Sequence, residues 1–149
     1  MKYTLLSLLF PMLLVACNSV DSDTTYLFDV NPIKTSFEVT DTTRVSLTIR
    51  NLTSFPVHYS GCIDPTLQKK IRTKFINLPR YQIVCACTCL NTIPPNDEKI
   101  VSYPMSWILG HESAGNKGVF KIIPSLFYDE LFTQPVNFDN IKVAEFELK

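Results

Sequence analysis

"RVSLTIR", residues 44–50, alternates apolar and polar side chains at almost every step. Val45, Leu47 and Ile49 would share one face of an extended strand, because side chains of a strand point alternately to its two sides. The charged and hydroxyl side chains between them would face water. This pattern is typical of an antiparallel strand with one buried face and one solvated face.

Strand-like segments recur along the rest of the chain, and turn-forming segments rich in proline, glycine and asparagine separate them. In the last segment we expect Ala144, Phe146 and Leu148 to face inward, whereas "FYDELF", residues 127–132, is long enough for one helical turn. The sequence therefore predicts an all-β antiparallel sandwich or barrel of about seven strands. Besides residues 44–50, the segments are "KIRTKF" (70–75), "YQIVCACTCL" (81–90), "KIVSYPM" (99–105), "GVFKIIP" (118–124) and "KVAEFELK" (142–149).

The N-terminal residues have the layout of a secretory signal. Lys2 precedes the apolar run "TLLSLLFPMLLVA", residues 4–16, and polarity returns at Asn18. A membrane-spanning helix needs ~20 apolar residues, and this run is shorter and contains Pro11. We therefore expect this segment to be cleaved from the mature protein.

The end of the apolar run, Leu14-Val15-Ala16-Cys17, resembles the lipobox of bacterial lipoprotein signal peptides. The resemblance implies cleavage between Ala16 and Cys17, a diacylglyceryl group on the Cys17 thiol, and an acyl chain such as palmitate on the new amine. Several acyl chains together hold a protein on a bilayer permanently. Because Asn18 follows the cysteine, where Asp would favour the inner membrane in that family, the resemblance implies the outer membrane of a bacterial envelope.

The predicted domain organisation follows from this signal. Residues 1–16 form the signal peptide, residues 17–25 the lipidated cysteine and a polar tether, and residues 26–149 one domain. The chain beyond residue 16 carries 13 basic against 14 acidic side chains. No nucleic-acid footprint is visible in this balance. The expected partners are the membrane, through the anchor, and another envelope protein.

Four stretches resemble immunoglobulin-like lipoprotein domains and, more distantly, the BsuPI-type protease-inhibitor sandwich. The resemblance implies an immunoglobulin-like sandwich that acts as a binding or structural module, although a fold by itself does not assign a function. The sequence departs from the pattern at one corner, where Pro95-Asn96 stands in place of glycine. The stretches are "VSLTIRNLTSFPVHY" (45–59), "NTIPPNDEKIVSYPMSW" (91–107), "GNKGVFKI" (115–122) and "IKVAEFELK" (141–149).

Four cysteines remain once Cys17 carries lipid, and an even number in an oxidising envelope favours disulfides. If residues 82–90 are extended, Cys85, Cys87 and Cys89 share one face at ~6.6 Å intervals. Cys62 is expected to pair with Cys87 or Cys89, which would stabilise the domain by ~3 kcal/mol. The spacing along one strand disfavours bridges among the other three.

The alternative is a metal site. Three thiolates on one strand face, together with His58, would suit Cu(I) or Zn(II). Against this reading, C-x-C-x-C is not a zinc-finger spacing, and a histidine within a strand is by default a packed side chain. The expected cofactor is therefore none beyond the lipid, with copper or zinc as the alternative.

Catalytic motifs are absent from the sequence. His111 lies in "GHESAGNKG" without a nucleophile elbow, and there is no phosphate loop or zincin helix. We therefore expect no enzyme. A second alternative function, from the distant family resemblance, is protease inhibition through an exposed loop such as Gly110–Gly118. The basic side chains Lys69, Lys70, Arg72 and Lys74 are expected to protect a sheet edge from aggregation, with an acidic partner or lipid as the alternative.

Overall fold

The computed structural model describes residues 25–38, 44–61, 65–79, 89–104 and 117–149. Within these ranges the chain forms twelve short strands and one 3₁₀ turn, Phe138–Asn140. The strands are β1 (Phe28–Pro32), β2 (Ser36–Phe37), β3 (Arg44–Asn51), β4 (Val57–Ser60), β5 (Thr66–Ile71), β6 (Lys74–Asn77), β7 (Leu90–Ile93), β8 (Glu98–Pro104), β9 (Gly118–Ile123), β10 (Leu126–Phe127), β11 (Ile141–Val143) and β12 (Phe146–Leu148).

Two layers of strands face each other. The first layer has the order β11-β1-β3-β8, and the second has the order β2-β12-β9-β5-β6, which β10-β4-β7 extends. All pairs are antiparallel except β1 with β11 and β2 with β12. β1 and β11 lie in the first layer, whereas β2 and β12, which follow them in the chain, lie in the second. The predicted immunoglobulin-like antiparallel sandwich is confirmed.

Prolines explain why the long strands are divided. A proline has no backbone N–H and cannot donate to a ladder, so strands end or bend where one occurs. This property accounts for six of the strand boundaries, but not for the break between β11 and β12, where Ala144 and Glu145 stand. The prolines at strand boundaries are Pro32 in β1, Pro56 before β4, Pro65 before β5, Pro94 after β7, Pro104 in β8 and Pro124 after β9.

The core lies between the layers. Val45, Leu47 and Ile49 of β3 are at most 1% exposed, as the alternation of residues 44–50 predicts. In the second layer the Phe146 ring lies 5.7 Å from Phe37, edge to face, and 6.0 Å from Phe120, stacked. These aromatic contacts join β2, β12 and β9 around one centre.

Two predicted strands were wrong in detail. Residues 70–75 are not one strand but the turn of the β5–β6 hairpin, with Arg72 at φ 58°. The segment 142–149 is broken after Val143, where the chain passes from the first layer to the second, and Ala144 is only half-buried. The segment 127–132 forms a turn and not a helical turn.

The corner between β7 and β8 explains the departure from glycine noted in the sequence. Asn96 has φ 57°, a left-handed conformation that asparagine tolerates better than most residues. Here Asp97 N–H donates to the Pro94 carbonyl at 3.3 Å. Asparagine at position 96 therefore adopts the left-handed backbone conformation for which glycine would otherwise be favoured.

Replacing Asn96 by alanine is expected to lower the free energy of unfolding by about 1 kcal/mol, because alanine adopts a left-handed conformation at greater cost. Asn96→Gly should stay within about 0.5 kcal/mol of the parent. Urea denaturation measures both changes. Asn31→Ala, at an exposed position of β1, is the control and should have little effect. Equal stability of the Asn96→Ala and Asn96→Gly proteins would contradict the role of backbone conformation here.

Candidate functional site

Most of the cysteines predicted to carry chemistry lie outside the described residues. Those residues are Ala16, Cys17, Cys62, Cys85 and Cys87, so lipidation, signal cleavage, disulfide pairing and metal binding stay predictions. His111, Trp107 and residues 110–116 of the predicted inhibitory loop also lie outside. Cys89 is described: it is exposed, directly precedes β7, and its carbonyl accepts a hydrogen bond from Asn91 Nδ2 at 3.2 Å.

His58 lies in β4, where it is 5% exposed. Its Nδ1 is 3.1 Å from Thr92 Oγ1 on β7, directly across the strand pair. The imidazole is thus packed and has a hydroxyl partner. Among the described residues, no three His, Cys, Asp or Glu side chains converge on a common point where a metal could bind.

The sandwich has two ends with different compositions. We call the end with the start of β1, the end of β3 and the start of β8 the N-terminal end. There Leu27 N–H donates to the Asn140 carbonyl, Leu52 N–H to the Leu27 carbonyl, and Asn51 N–H to the Asp97 carbonyl, all at 2.9–3.0 Å. We call the other end, where β3 begins and β8 and β12 finish, the far end.

The N-terminal end carries acidic and exposed apolar side chains. Tyr128 links it to the turn after β3, because its ring lies 5.5 Å from Phe55. Lys99, Arg50 and Lys142 are basic side chains near this end. The acidic ones there are Asp97, Glu98, Asp129, Glu130 and Asp139, and the exposed apolar ones are Tyr26, Leu52, Phe55 and Phe138.

The β5–β6 hairpin and β9 are rich in basic side chains, which lie on both faces of the sheet because successive strand residues point to opposite sides. Residues 65–79 and 117–124 carry six Lys and Arg side chains and no Asp or Glu. The ammonium groups of Lys70 and Lys121 lie 5.5 Å and 4.3 Å from the centre of the Phe75 ring, and Lys70 also pairs with Glu145 at 3.1 Å. The six residues are Lys69, Lys70, Arg72, Lys74, Lys117 and Lys121.

A cleft of about 230 Å³ opens where the chain passes between the layers. β1 ends at Pro32, Ile33 N–H donates a last bond to the Ser46 carbonyl at 2.9 Å, and Glu147 N–H bonds the Thr35 carbonyl at 2.8 Å. Residues 33–35 therefore cross from the first layer to the second. We call the space beneath them the crossover cleft; its lining residues are Ile33, Lys34, Phe37, Arg44 and Ser46.

The crossover cleft combines positive charge with an apolar wall. Arg44 Nη2 donates to the Ser102 carbonyl at 2.8 Å, and the hydroxyls of Ser46 and Ser102 are 2.7 Å apart. Phe37 is 7% exposed, whereas Ile33 is 54% exposed. Among the described residues that line the cleft, none is acidic. The arrangement can bind an anionic group.

Sequence reasoning missed this cleft. Lys34 and Arg44 are ten residues apart, and neither belongs to a motif. The available signal was Pro32, which ends a strand and so indicates a change of direction. The pairing of β1 with β3, which brings the two cations to one cleft, leaves no pattern in the sequence.

Two buried tyrosines lie near the core. Burial raises the pKa of Tyr103 well above its usual value, and the neighbouring Tyr59 raises it further. Burial also raises the pKa of Tyr59. Both hydroxyls are therefore neutral at physiological pH and do not act as acids there.

Asp129 organises the turn after β10. Its Oδ2 accepts from Thr133 Oγ1 at 2.7 Å, and its Oδ1 accepts from the backbone N–H groups of Thr133 and Gln134 at 3.0 Å and 2.8 Å. These donors, the Thr133 hydroxyl first, hold the pKa of Asp129 below its usual value, although desolvation acts in the opposite direction. The ionised carboxylate therefore stabilises this turn.

Asp129→Asn is expected to lower the free energy of unfolding at neutral pH. A carboxylate whose folded pKa is depressed stabilises the fold above its unfolded pKa, and that stabilisation is lost as pH falls through the folded value. The parent and the variant should therefore converge in stability at strongly acidic pH, which denaturation at several pH values measures. Thr133→Val should change stability in the same direction but less, because the backbone donors remain. A constant difference at every pH would contradict the ionic origin of the effect.

In the described ranges, no helix is both long and apolar enough to cross a membrane.

Comparison with known proteins gives no family. No protein-family model matches the chain, and no curated protein matches it. Among solved structures, the chain is similar to the ASH/PapD-like domain 7 of human CEP192, at 11% identity and a TM-score of 0.33 over 99% of this chain and 94% of that one. It is also similar to a β-glucosidase from Listeria innocua in complex with gluconolactone, at 11% identity and a TM-score of 0.34. The alignment covers 81% of this chain but only 16% of the glucosidase, and at such scores neither likeness carries an argument about function.

Proposed function

We propose that the protein is a membrane-anchored envelope lipoprotein whose immunoglobulin-like sandwich acts as a non-catalytic binding or structural module. The observation that carries the proposal is the lipobox-like Leu14-Val15-Ala16-Cys17, followed by a short polar segment and then by Tyr26 at one end of the sandwich. Residues 17–25 can span at most ~30 Å when extended. An anchored chain would therefore hold its N-terminal end towards the bilayer and present the far end away from it.

The charge distribution indicates where a partner would bind. The N-terminal end carries five acidic side chains beside the basic Arg50, Lys99 and Lys142, so its charge gives no strong attraction to an anionic lipid surface. Six cations lie in or next to β5, β6 and β9, and the turn at Arg72 points towards the far end. An envelope partner with an acidic surface is therefore the expected kind of partner.

The chemistry of the crossover cleft supports a binding role over a catalytic one. Within the described part of the chain, its ionisable lining side chains are Lys34 and Arg44, which bind anions through charge and hydrogen bonds. The groups with shifted pKa values, Tyr59, Tyr103 and Asp129, do not line it. The cleft therefore fits recognition of a charged group.

The strand pair β4–β7 supports a disulfide at Cys62, as part of the same proposal. Ser60 pairs with Leu90, so Gly61 and Cys89 follow at the same end of the pair, and Cys62 is the next residue after Gly61. The proposed bridge joins Cys62 to Cys89 or Cys87. Thiol counting and non-reduced peptide mapping under acid quench test the bridge. Three reactive thiols with copurified copper or zinc would favour the metal alternative instead.

Membrane fractionation of cells that express the full chain tests the anchor. The parent should be found in the membrane fraction and should incorporate labelled palmitate, whereas Cys17→Ser should lose the label and leave that fraction. Cys89→Ser is the matched control and should keep both properties. Unchanged membrane association of the Cys17→Ser protein would overturn the lipoprotein proposal.

A further inference from the structure

We infer that the crossover cleft binds one carboxylate carried on a small apolar body. The inference deepens the proposed function, since it names the chemistry that the binding module recognises. It rests on that function only for the biological source of the ligand, because the cleft itself can be tested with small acids.

The first argument is the fixed position of one cation. The Arg44 guanidinium uses one N–H to bond the Ser102 carbonyl, and Ser102 is itself bonded through its hydroxyl to Ser46. A guanidinium has five N–H donors in a planar fork, which suits a carboxylate. Because the Ser102 bond already restricts this side chain, less conformational entropy is lost when a ligand binds.

The second argument is the apolar part of the cleft. Phe37 is nearly buried and packs edge to face against Phe146, so its ring is a rigid wall. Ile33 is more than half exposed and would gain contacts if an apolar group covered it. An apolar group in this position also excludes water from the carboxylate, which strengthens its attraction to Lys34 and Arg44.

The third argument is size. Sites for drug-sized ligands have volumes of roughly 300–1,000 Å³, and the crossover cleft has about 230 Å³. It would hold an aromatic or branched monocarboxylate, or one acidic side chain with its apolar neighbour from a partner, but not a nucleotide cofactor. Its place near the start of β3 also keeps it towards the far end of the sandwich.

Titration of the isotope-labelled protein, purified from membranes in detergent, with 3-phenylpropionate tests the inference. The amide signals of residues 33–37 and 44–46 should shift. 3-Phenylpropanamide, which has the same apolar body without the charge, should bind at least tenfold more weakly, as should acetate. Equal shifts with 3-phenylpropanamide would show that apolar contact alone causes the binding, without the carboxylate, and would overturn the inference.

Variants make the test specific. Arg44→Gln should weaken binding of 3-phenylpropionate about tenfold, the size expected for the loss of one charge-assisted hydrogen bond. Arg50→Gln is the matched control, because it removes the same charge at the other end of β3 and should leave binding unchanged. If Arg44→Gln does not fold, Lys34→Gln, at an exposed position, replaces it. Unchanged binding in the folded cleft variant would overturn the inference.

A capped peptide with a glutamate next to a phenylalanine distinguishes the two sources of the carboxylate. Competition between this peptide and 3-phenylpropionate at residues 33–46 would indicate a segment of a partner protein, whereas binding of the free acid alone would indicate a small organic acid. Absence of shifts at the cleft with all probes would overturn the inference. That result would leave the Cys17→Ser fractionation unaffected, so the two failures are distinguishable.

Discussion

Asn51→Ala is expected to lower the free energy of unfolding by about 3 kcal/mol, a large part of the total stability of a domain this size. Asn51 is completely buried at the end of β3. Its Nδ2 donates to the carbonyls of Phe55 at 2.8 Å, Ile93 at 3.2 Å and Pro94 at 3.1 Å. One side chain thus joins β3, the turn that follows it, and the corner after β7.

The carbonyl of the same amide completes the network. Asn51 Oδ1 accepts from Thr53 N–H at 3.0 Å and from Thr53 Oγ1 at 2.7 Å. Alanine would remove one hydrogen-bond partner from each of these groups, although the Thr53 hydroxyl keeps its bond to the Phe55 carbonyl at 2.8 Å and the Pro94 carbonyl keeps its bond from Asp97 N–H. Each buried group that is left unsatisfied costs ~1–3 kcal/mol, which local rearrangement partly offsets. Urea denaturation of the purified protein measures the change. The Asn31→Ala protein is again the control and should lie within about 0.5 kcal/mol of the parent.

Asn51→Asp separates hydrogen bonding from packing, because the side chain keeps nearly the same shape. At neutral pH the carboxylate would face three carbonyl oxygens, so its folded pKa should rise above the unfolded value of ~3.9. A group with a raised folded pKa has its most favourable contribution below the unfolded pKa and loses it as pH rises through the folded value. Asn51→Asp should therefore be least destabilising in acid. A loss smaller than 1 kcal/mol for both variants would show that water replaces the amide.

Phe146→Ala is expected to lower the free energy of unfolding by about 4 kcal/mol, within the range for truncation of a buried phenylalanine. Phe146 is 2% exposed, and its ring contacts Phe37 of β2 and Phe120 of β9. Removal of the ring leaves a cavity between three strands. It also removes the edge-to-face contact with Phe37 and the stacked contact with Phe120. Denaturation by guanidinium chloride measures the loss.

Two further variants test this explanation. Phe138→Ala removes the same ring from an exposed position at the N-terminal end and should have little effect on stability. Phe146→Leu keeps most of the volume and should cost about half as much as Phe146→Ala. If Phe146→Ala and Phe138→Ala were equally destabilising, burial of the Phe146 ring would not be the reason.

The sequence predicts the position of β3 best, because its alternation of apolar and polar side chains matches the alternation of burial along the whole strand. β8 and β9 also lie within the predicted segments, although only Tyr103 of β8 is buried and β9 ends with two adjacent buried residues. The prediction of one strand over residues 70–75 was wrong because the turn at Arg72 contains no glycine, proline or asparagine that would have indicated it. The pairing of Ile71 with Lys74 imposes the left-handed conformation on Arg72, and no local sequence pattern predicts it.

The functional features were less predictable for the same physical reason. The sequence marks residues 51–56 as a turn, but the buried amide of Asn51 depends on carbonyls more than forty residues away. Likewise, Lys34 and Arg44 line one cleft only because β1 leaves β3 after Pro32. The alternation of neighbouring side chains predicts which face of a strand is buried. These sites depend instead on which strands become neighbours in the fold, and local sequence patterns do not predict that.

The pairing of the first and last strands determines when folding can finish. Phe28 of β1 is the neighbour of Ile141 of β11, and Phe37 of β2 is the neighbour of Leu148 of β12. Such distant pairings form slowly, because closure of a long loop must precede them. Synthesis proceeds from the N-terminus, so neither layer can be completed until the residues of β11 and β12 have been made. An N-terminal fragment that lacks β11 and β12 would therefore expose unpaired edges of β1 and β2, which are sites where strands of other chains can add.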